Sequence, residues 1–213
     1  METLSNEIKR YLSIYSKNTG ENNLEISIGN SLGKYIFDTN VSNKYWKKIR
    51  NIIEDRGEYT VQKKFTYRIY TSGNMKLYID KDDKMRCIKS TLKESSLCYN
   101  NTKGVDFKIS FYNKKPINIA KFPSRWEYDN SVERETISYT FNGFYINLSC
   151  FVPIGESVDV DPIYTITILL SKNNKVSRNI ILKNIMKQIR DIYTLFNIKD
   201  EIMFKIHTYV GTE

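Results

Sequence analysis

Strict alternation of polar and apolar residues runs through several short segments of this 213-residue chain. Residues 23–28 alternate in this way, and so do residues 165–168. A period of two is typical of a β-strand with one polar and one apolar face. The first segment carries one carboxylate, Glu25, on its polar face, whereas the second carries none. If both polar faces line one cavity, the number of carboxylates there decides whether it can hold a metal ion.

Further strands and helices are predicted from the same kind of pattern. Asn142-Gly143 lies between two alternating runs and predicts a tight hairpin. Helices are predicted at 4–16, from 42 to about 54, and at about 176–196. Strands are predicted at 23–28, 35–38, 59–70, 76–80, 85–92, 106–112, 136–141, 144–151 and 163–170, and a loop at 94–104.

This element order predicts a mostly β (α+β) fold. No linker divides the chain, so we expect one domain over residues 1–213, with its strands at about 22–170. Alternation fits two architectures. A sandwich would bury one face of each strand, whereas a closed barrel could turn its apolar faces outward against helices and its polar faces inward.

Composition narrows the classes of partner and site. The net charge of +9 and the pI of about 9.3 favour nucleic acid, nucleotides or an acidic protein surface, although solvated lysines alone would give the same charge. Three widely spaced cysteines without a C-x-x-C pair indicate free thiols, and a single histidine gives little support to a histidine-based metal site. No run is apolar enough for a membrane helix or signal peptide, so we expect a soluble, intracellular protein.

The order of the local motifs carries a family resemblance that spans roughly residues 21–196. An acidic strand (LEISIG, 24–29) is followed by FDTNVS (37–42) and a helix (YWKKI, 45–49). DFKISF (106–111), KKP (114–116) and the hairpin 135–149 come later, before the strand 163–170 and the last helix. The series resembles the tunnel-type RNA 5'-triphosphatases of mRNA capping in fungi, microsporidia and large DNA viruses, which belong to the triphosphate tunnel metalloenzymes.

The resemblance implies an eight-stranded antiparallel barrel with flanking helices, whose lumen is the active site. It implies glutamates on the first and last strands that hold Mg²⁺ or Mn²⁺, and basic residues on other strands that hold the RNA triphosphate. Glu25 matches a metal-binding and catalytic position. The candidate phosphate-binding residues are Lys108, Arg68, Arg86 and Lys89.

Most of the family's acidic positions are replaced in this chain. Neutral residues stand where carboxylates are expected, namely Asn23, Thr165, Thr167, Leu169 and Asn147, and Lys89 stands near a further one. Asp159 and Asp161 could replace the missing ligands only after a register slip. A carboxylate that remains almost alone is a poor site for a divalent cation, although Mg²⁺ can use one or two carboxylates together with substrate phosphates.

These substitutions predict an RNA 5'-triphosphatase-like protein with impaired or lost metal-dependent catalysis. It would bind RNA 5'-triphosphate ends, nucleoside triphosphates, or a partner such as the capping guanylyltransferase or RNA polymerase, and no membrane. The resemblance implies the nucleus, or a viral replication site for a viral chain, and allows a homodimer.

Two alternatives stay open. One is an active polynucleotide 5'-phosphatase that removes the γ-phosphate of nascent RNA. The other is a basic β-rich interaction domain without such ancestry, which would be favoured if Glu25 and Lys108 did not face one closed lumen.

Overall fold

The computed structural model describes residues 1–17, 22–32, 36–99, 105–123, 128–155, 160–170, 176–195 and 204–210. Three α-helices, one short 3₁₀ helix (Ile119–Lys121) and ten strands occupy these ranges. The α-helices are α1 (Glu2–Lys17), α2 (Asn43–Arg56) and α3 (Arg178–Thr194). The strands are β1 (Asn22–Ser31), β2 (Phe37–Asp38), β3 (Val61–Ser72), β4 (Met75–Asp80), β5 (Met85–Tyr99), β6 (Asp106–Ile117), β7 (Asn130–Thr140), β8 (Phe144–Pro153), β9 (Ile163–Leu170) and β10 (Lys205–Val210).

Eight of the strands close into an antiparallel barrel. Around the barrel the order is β1, β6, β5, β4, β3, β7, β8 and β9, and β9 pairs with β1 to complete the ring. The remaining strands extend it: β2 pairs with the end of β1, and β10 pairs with the second half of β5. The prediction of an eight-stranded antiparallel barrel with flanking helices is therefore confirmed, and the sandwich is not formed.

The alternating pattern has a simple physical cause in this barrel. The apolar face of β1 is fully buried on the outside of the wall, together with the apolar faces of β6, β8 and β9. It belongs to one core with the apolar stripes of α1 and α3, so burial of apolar area holds these helices against the barrel. The polar faces of the same strands are left to point into the lumen.

Helix α2 begins and ends as its sequence indicates. The Ser42 side chain accepts a hydrogen bond from the Tyr45 backbone N–H at 3.4 Å, which satisfies one free donor of the first turn. Gly57 follows the last turn with φ of 58°, in the left-handed region that favours glycine. Trp46, Ile49 and Ile53 form its buried face.

The structure corrects several predicted boundaries. β5 continues to Tyr99, so residues 94–99 form a strand and not a loop, because β6 and β10 pair with them. β7 begins at Asn130 and not at 136, and the tail contributes β10. Residues 100–104 of the predicted loop and residue 196, the predicted end of the last helix, fall outside the described residues.

Two further observations bear on the sequence-based expectations. Cys87, Cys98 and Cys150 are free thiols. Among the described residues, no helix combines the length and apolar character that crossing a membrane requires. The assignment of residues 1–213 to one domain stays a prediction.

Candidate functional site

Glu25 points into the lumen and is held by an ion pair. It alternates with the outward-facing Leu24 and Ile26, and it faces Ser110 on β6 and Leu169 on β9. Lys114 Nζ donates to Glu25 Oε2 at 3.4 Å, and Ser27 Oγ donates to Oε1 at 3.4 Å. The carboxylate is thus already neutralised by a cation from the neighbouring strand.

The strands on the other side of β1 from β6 carry hydroxyls and an amide near Glu25. Thr167 on β9 lies between Ser27 on β1 and Asn147 on β8, and Thr165 faces Ser149. Asn147 Oδ1 is buried and has no hydrogen-bond partner among the residues that the structure describes. Asp161 is exposed and precedes β9, and Asp159 falls outside the described residues.

A divalent metal of the expected kind does not fit this donor set. Within the described ranges, no three His, Cys, Asp or Glu side chains lie together in a way that could hold a metal ion. Hard cations such as Mg²⁺ and Mn²⁺ require oxygen ligands, and a carboxylate bonded to an ammonium group is a poor one.

Two other carboxylates on the inward faces accept hydrogen bonds from the backbone. Asp106 Oδ2 accepts a hydrogen bond from the Ser31 backbone N–H at 2.7 Å. Asp80 Oδ1 accepts from the backbone N–H groups of Asp82 and Lys84, at 2.9 Å each, and so closes the β4–β5 turn. Each carboxylate therefore already has a structural hydrogen bond.

Arg134 is the most enclosed cation of the lumen. Its guanidinium lies 5.7–6.0 Å from the centroids of four rings, those of Phe65, Tyr67, Tyr78 and Phe151. Nε is buried without a hydrogen-bond partner, and within the described residues no carboxylate pairs with it. Burial lowers the pKa of Arg134, and the positive charge of Arg86 adds to this effect. The motif comparison missed this residue.

Two of the four predicted phosphate-binding residues share the lumen with it. Arg86 lies 4.9 Å from the ring centroids of both Tyr67 and Tyr78, at the exposed end of the same aromatic group. Lys108 is half-buried and faces Ser27 on β1 and Leu97 on β5. Glu25 and Lys108 therefore face one closed lumen.

The other two predicted residues lie on the outer face. Arg68 alternates with Tyr67 and forms an exposed ion pair with Asp83 at 2.5 Å. Lys89 is three positions from Arg86, so the period of two places it on the opposite face, where it is exposed. Neither residue is brought to the lumen.

The chemistry of the lumen is therefore suited to binding an anion. Arg134, Arg86 and Lys108 have no ion-pair partner within the described part of the chain. A partly desolvated site strengthens their attraction to a multiply charged ligand. The arrangement is suited to a polyphosphate.

Comparison with known proteins gives a structural likeness and no sequence relative. No family model matches the chain, and no curated protein matches it in sequence. The barrel superimposes on the Schizosaccharomyces pombe Pct1 RNA triphosphatase with a TM-score of 0.68 at 12% identity, over 90% of this chain and 91% of Pct1. A structure of Pct1 in complex with the Spt5 CTD gives 0.70 at 11% identity, over the same shares. At this identity the likeness establishes the fold, which is the closed barrel of the tunnel-type triphosphatases.

Proposed function

We propose that this chain is an RNA 5'-triphosphatase-like protein of mRNA capping that binds triphosphate ends and has lost, or largely lost, metal-dependent catalysis. One observation carries the proposal. Three cations of the lumen form no ion pair with any described residue, while the carboxylate of Glu25 is paired with Lys114.

The cations suit a polyphosphate better than a single phosphate. Arg134 lies inside the barrel, whereas Arg86 and Lys108 lie on other strands nearer its rims. Arginine offers a planar set of donors that matches phosphate oxygens, and its hydrogen bonds to anions are charge-assisted. An entering polyphosphate would also compensate the buried charge of Arg134, which is influenced by the carboxylate of Glu25 but forms no ion pair with any described residue.

A partner from the transcription machinery is part of the proposal. Pct1, which shares the fold, has been captured with the Spt5 CTD. We propose a comparable setting for this chain: the nucleus or a viral replication site, with RNA polymerase or the capping guanylyltransferase as protein partners. A homodimer is compatible with this setting.

The test replaces the central carboxylate without changing its shape. Glu25→Gln removes a negative charge and frees Lys114, so tripolyphosphate measured by calorimetry should bind about fivefold more tightly. Glu133→Gln is the matched control, because Glu133 is exposed on the outer face of β7, opposite Arg68. The affinity of Glu133→Gln for tripolyphosphate should equal that of the wild type.

The same pair of variants separates binding from catalysis. Phosphate release from triphosphate-ended RNA with Mg²⁺ or Mn²⁺ should be absent or weak in the wild type and unchanged in Glu25→Gln. Metal-dependent release that Glu25→Gln abolishes would instead support the alternative, an active polynucleotide 5'-phosphatase. Failure of tripolyphosphate to bind would refute the proposal.

A further inference from the structure

A cavity of about 530 Å³ opens at one rim of the barrel and has a different chemistry from the centre. Its walls are mostly apolar and aromatic, with a single ammonium group. The lining side chains on which the inference depends are Phe37, Leu92, Leu97, Lys108, His207 and Tyr209. Ligand sites of this kind commonly measure roughly 300–1,000 Å³ and combine apolar walls with a few polar groups.

Strand pairing links the lining of the cavity to residues that face the lumen. Leu97 and Lys108 face each other on β5 and β6, and Lys108 in turn faces Ser27, which donates to Glu25. β10 extends this wall, since His207 pairs with Leu97 and Tyr209 pairs with Ser95. The period of two therefore places both rings on the face that lines the lumen.

One aromatic side chain of the cavity, His207, is held in place before any ligand arrives. The His207 ring stacks on Tyr99 with centroids 5.2 Å apart and planes at 15°, and Tyr99 Oη and His207 Nε2 are 3.0 Å apart, within hydrogen-bond distance. Phe37 belongs to β2, which crosses close to the backbone of β1 at Gly29. Tyr209 is 51% exposed, so its ring is open to a stacked group.

We propose that this cavity holds the base and ribose of a 5'-triphosphorylated nucleoside, with Lys108 contacting the phosphates as they pass toward Arg134. The inference rests on the proposed function and specifies its ligand. Aromatic stacking accepts any base, so we expect little preference among the bases. The nucleoside belongs either to a free nucleoside triphosphate or to the first nucleotide of an RNA.

The test compares three ligands that share the polyphosphate. Dissociation constants are measured for tripolyphosphate, ATP and an RNA with a 5'-triphosphate. ATP should bind about tenfold more tightly than tripolyphosphate, which is the gain expected from stacking one base. Tighter binding of the RNA than of ATP would assign the site to RNA ends, and equal binding would assign it to free nucleotides.

Variants locate the gain in the cavity. His207→Ala/Tyr209→Ala, and Tyr209→Ala alone as the milder change, should reduce the affinity for ATP and RNA while tripolyphosphate binds as before. Val210→Ala is the control, since Val210 is exposed on the other face of β10. The inference is wrong if ATP binds no more tightly than tripolyphosphate, or if the tighter binding of ATP persists in both variants. The proposed function would stand in either case. If the wild-type protein does not bind tripolyphosphate, both the inference and the proposed function are wrong.

Discussion

Arg134 shows how one side chain can favour function over stability. Its charge is buried among four rings without a carboxylate partner in the described part of the chain. Cation–π contacts offset part of the desolvation, but a buried charge without an ionic partner is costly. The pattern in the sequence did not indicate Arg134, because the strand was predicted to begin at 136, whereas β7 begins at Asn130.

Replacing Arg134 should therefore separate stability from binding. Arg134→Met keeps an unbranched side chain and removes the buried charge, so we expect the free energy of unfolding in urea to rise by about 1 kcal/mol. Tripolyphosphate binding should fall at least tenfold. Arg68→Met, on the outer face with an exposed ion pair, should change neither quantity by much. Unchanged ligand binding in Arg134→Met would contradict this role.

Helix α1 is anchored to β5 by a polar network beside its apolar stripe. Arg10 Nη2 donates to Glu7 Oε1 at 2.6 Å, and Ser96 Oγ donates to the same oxygen at 2.7 Å. Arg10 also pairs with Glu94 at 2.5 Å. Burial alone would raise the pKa of Glu7, but the two hydrogen bonds and the charge of Arg10 lower it overall. Helical periodicity predicted the apolar stripe, whereas the network depends on which strand α1 meets.

This lowered pKa makes the stability contributed by Glu7 depend on pH. Its carboxylate contributes fully at neutral pH, and the contribution disappears as the pH falls from the ordinary value of 4.5 through the lower folded-state pKa. Glu7→Gln should thus lower the free energy of unfolding by about 1–2 kcal/mol at pH 7. The difference from wild type should shrink below pH 4.5. Glu2→Gln, exposed on the same helix, should show no comparable loss.

Strand β2 depends on the missing side chain of Gly29. A Cβ atom there would lie 2.0 Å from the Asp38 carbonyl oxygen, so one backbone must move. Gly29→Ala should lower the free energy of unfolding by about 2 kcal/mol. It should also reduce the difference in affinity between ATP and tripolyphosphate, because Phe37 shifts with β2. Gly57→Ala is a useful comparison, since it meets no atom within 4 Å and costs only the positive φ, about 1 kcal/mol. Equal losses in the two variants would contradict the close approach.

Closure of the barrel gives the whole molecule one lumen with excess positive charge. The chain carries a net charge of +9, and the lumen concentrates cations from β5, β6 and β7 inside one ring of strands. A polyphosphate that binds only this folded ring stabilises it by mass action.

Tripolyphosphate at about 100 times its dissociation constant should stabilise the fold by roughly 2.7 kcal/mol. For a chain of this length, that corresponds to a rise in melting temperature of about 5–10 °C in a thermal scan. The rise should shrink in high salt, which screens the rims more than the centre. Inorganic sulfate at the same concentration is the control and should give a smaller rise. A rise independent of salt would contradict an electrostatic site.

Neighbouring residues were enough to predict the two faces of each strand, because a period of two depends on nothing more distant. The sequence therefore correctly predicted that Glu25 and Lys108 lie on polar strand faces, and its motif order predicted the closed barrel. Which faces enclose the lumen follows from closure of the barrel, and closure depends on pairing between strands that are distant in the sequence. That pairing turned Arg68 and Lys89 outward, joined Glu25 to Lys114, and enclosed Arg134 with rings from three other strands.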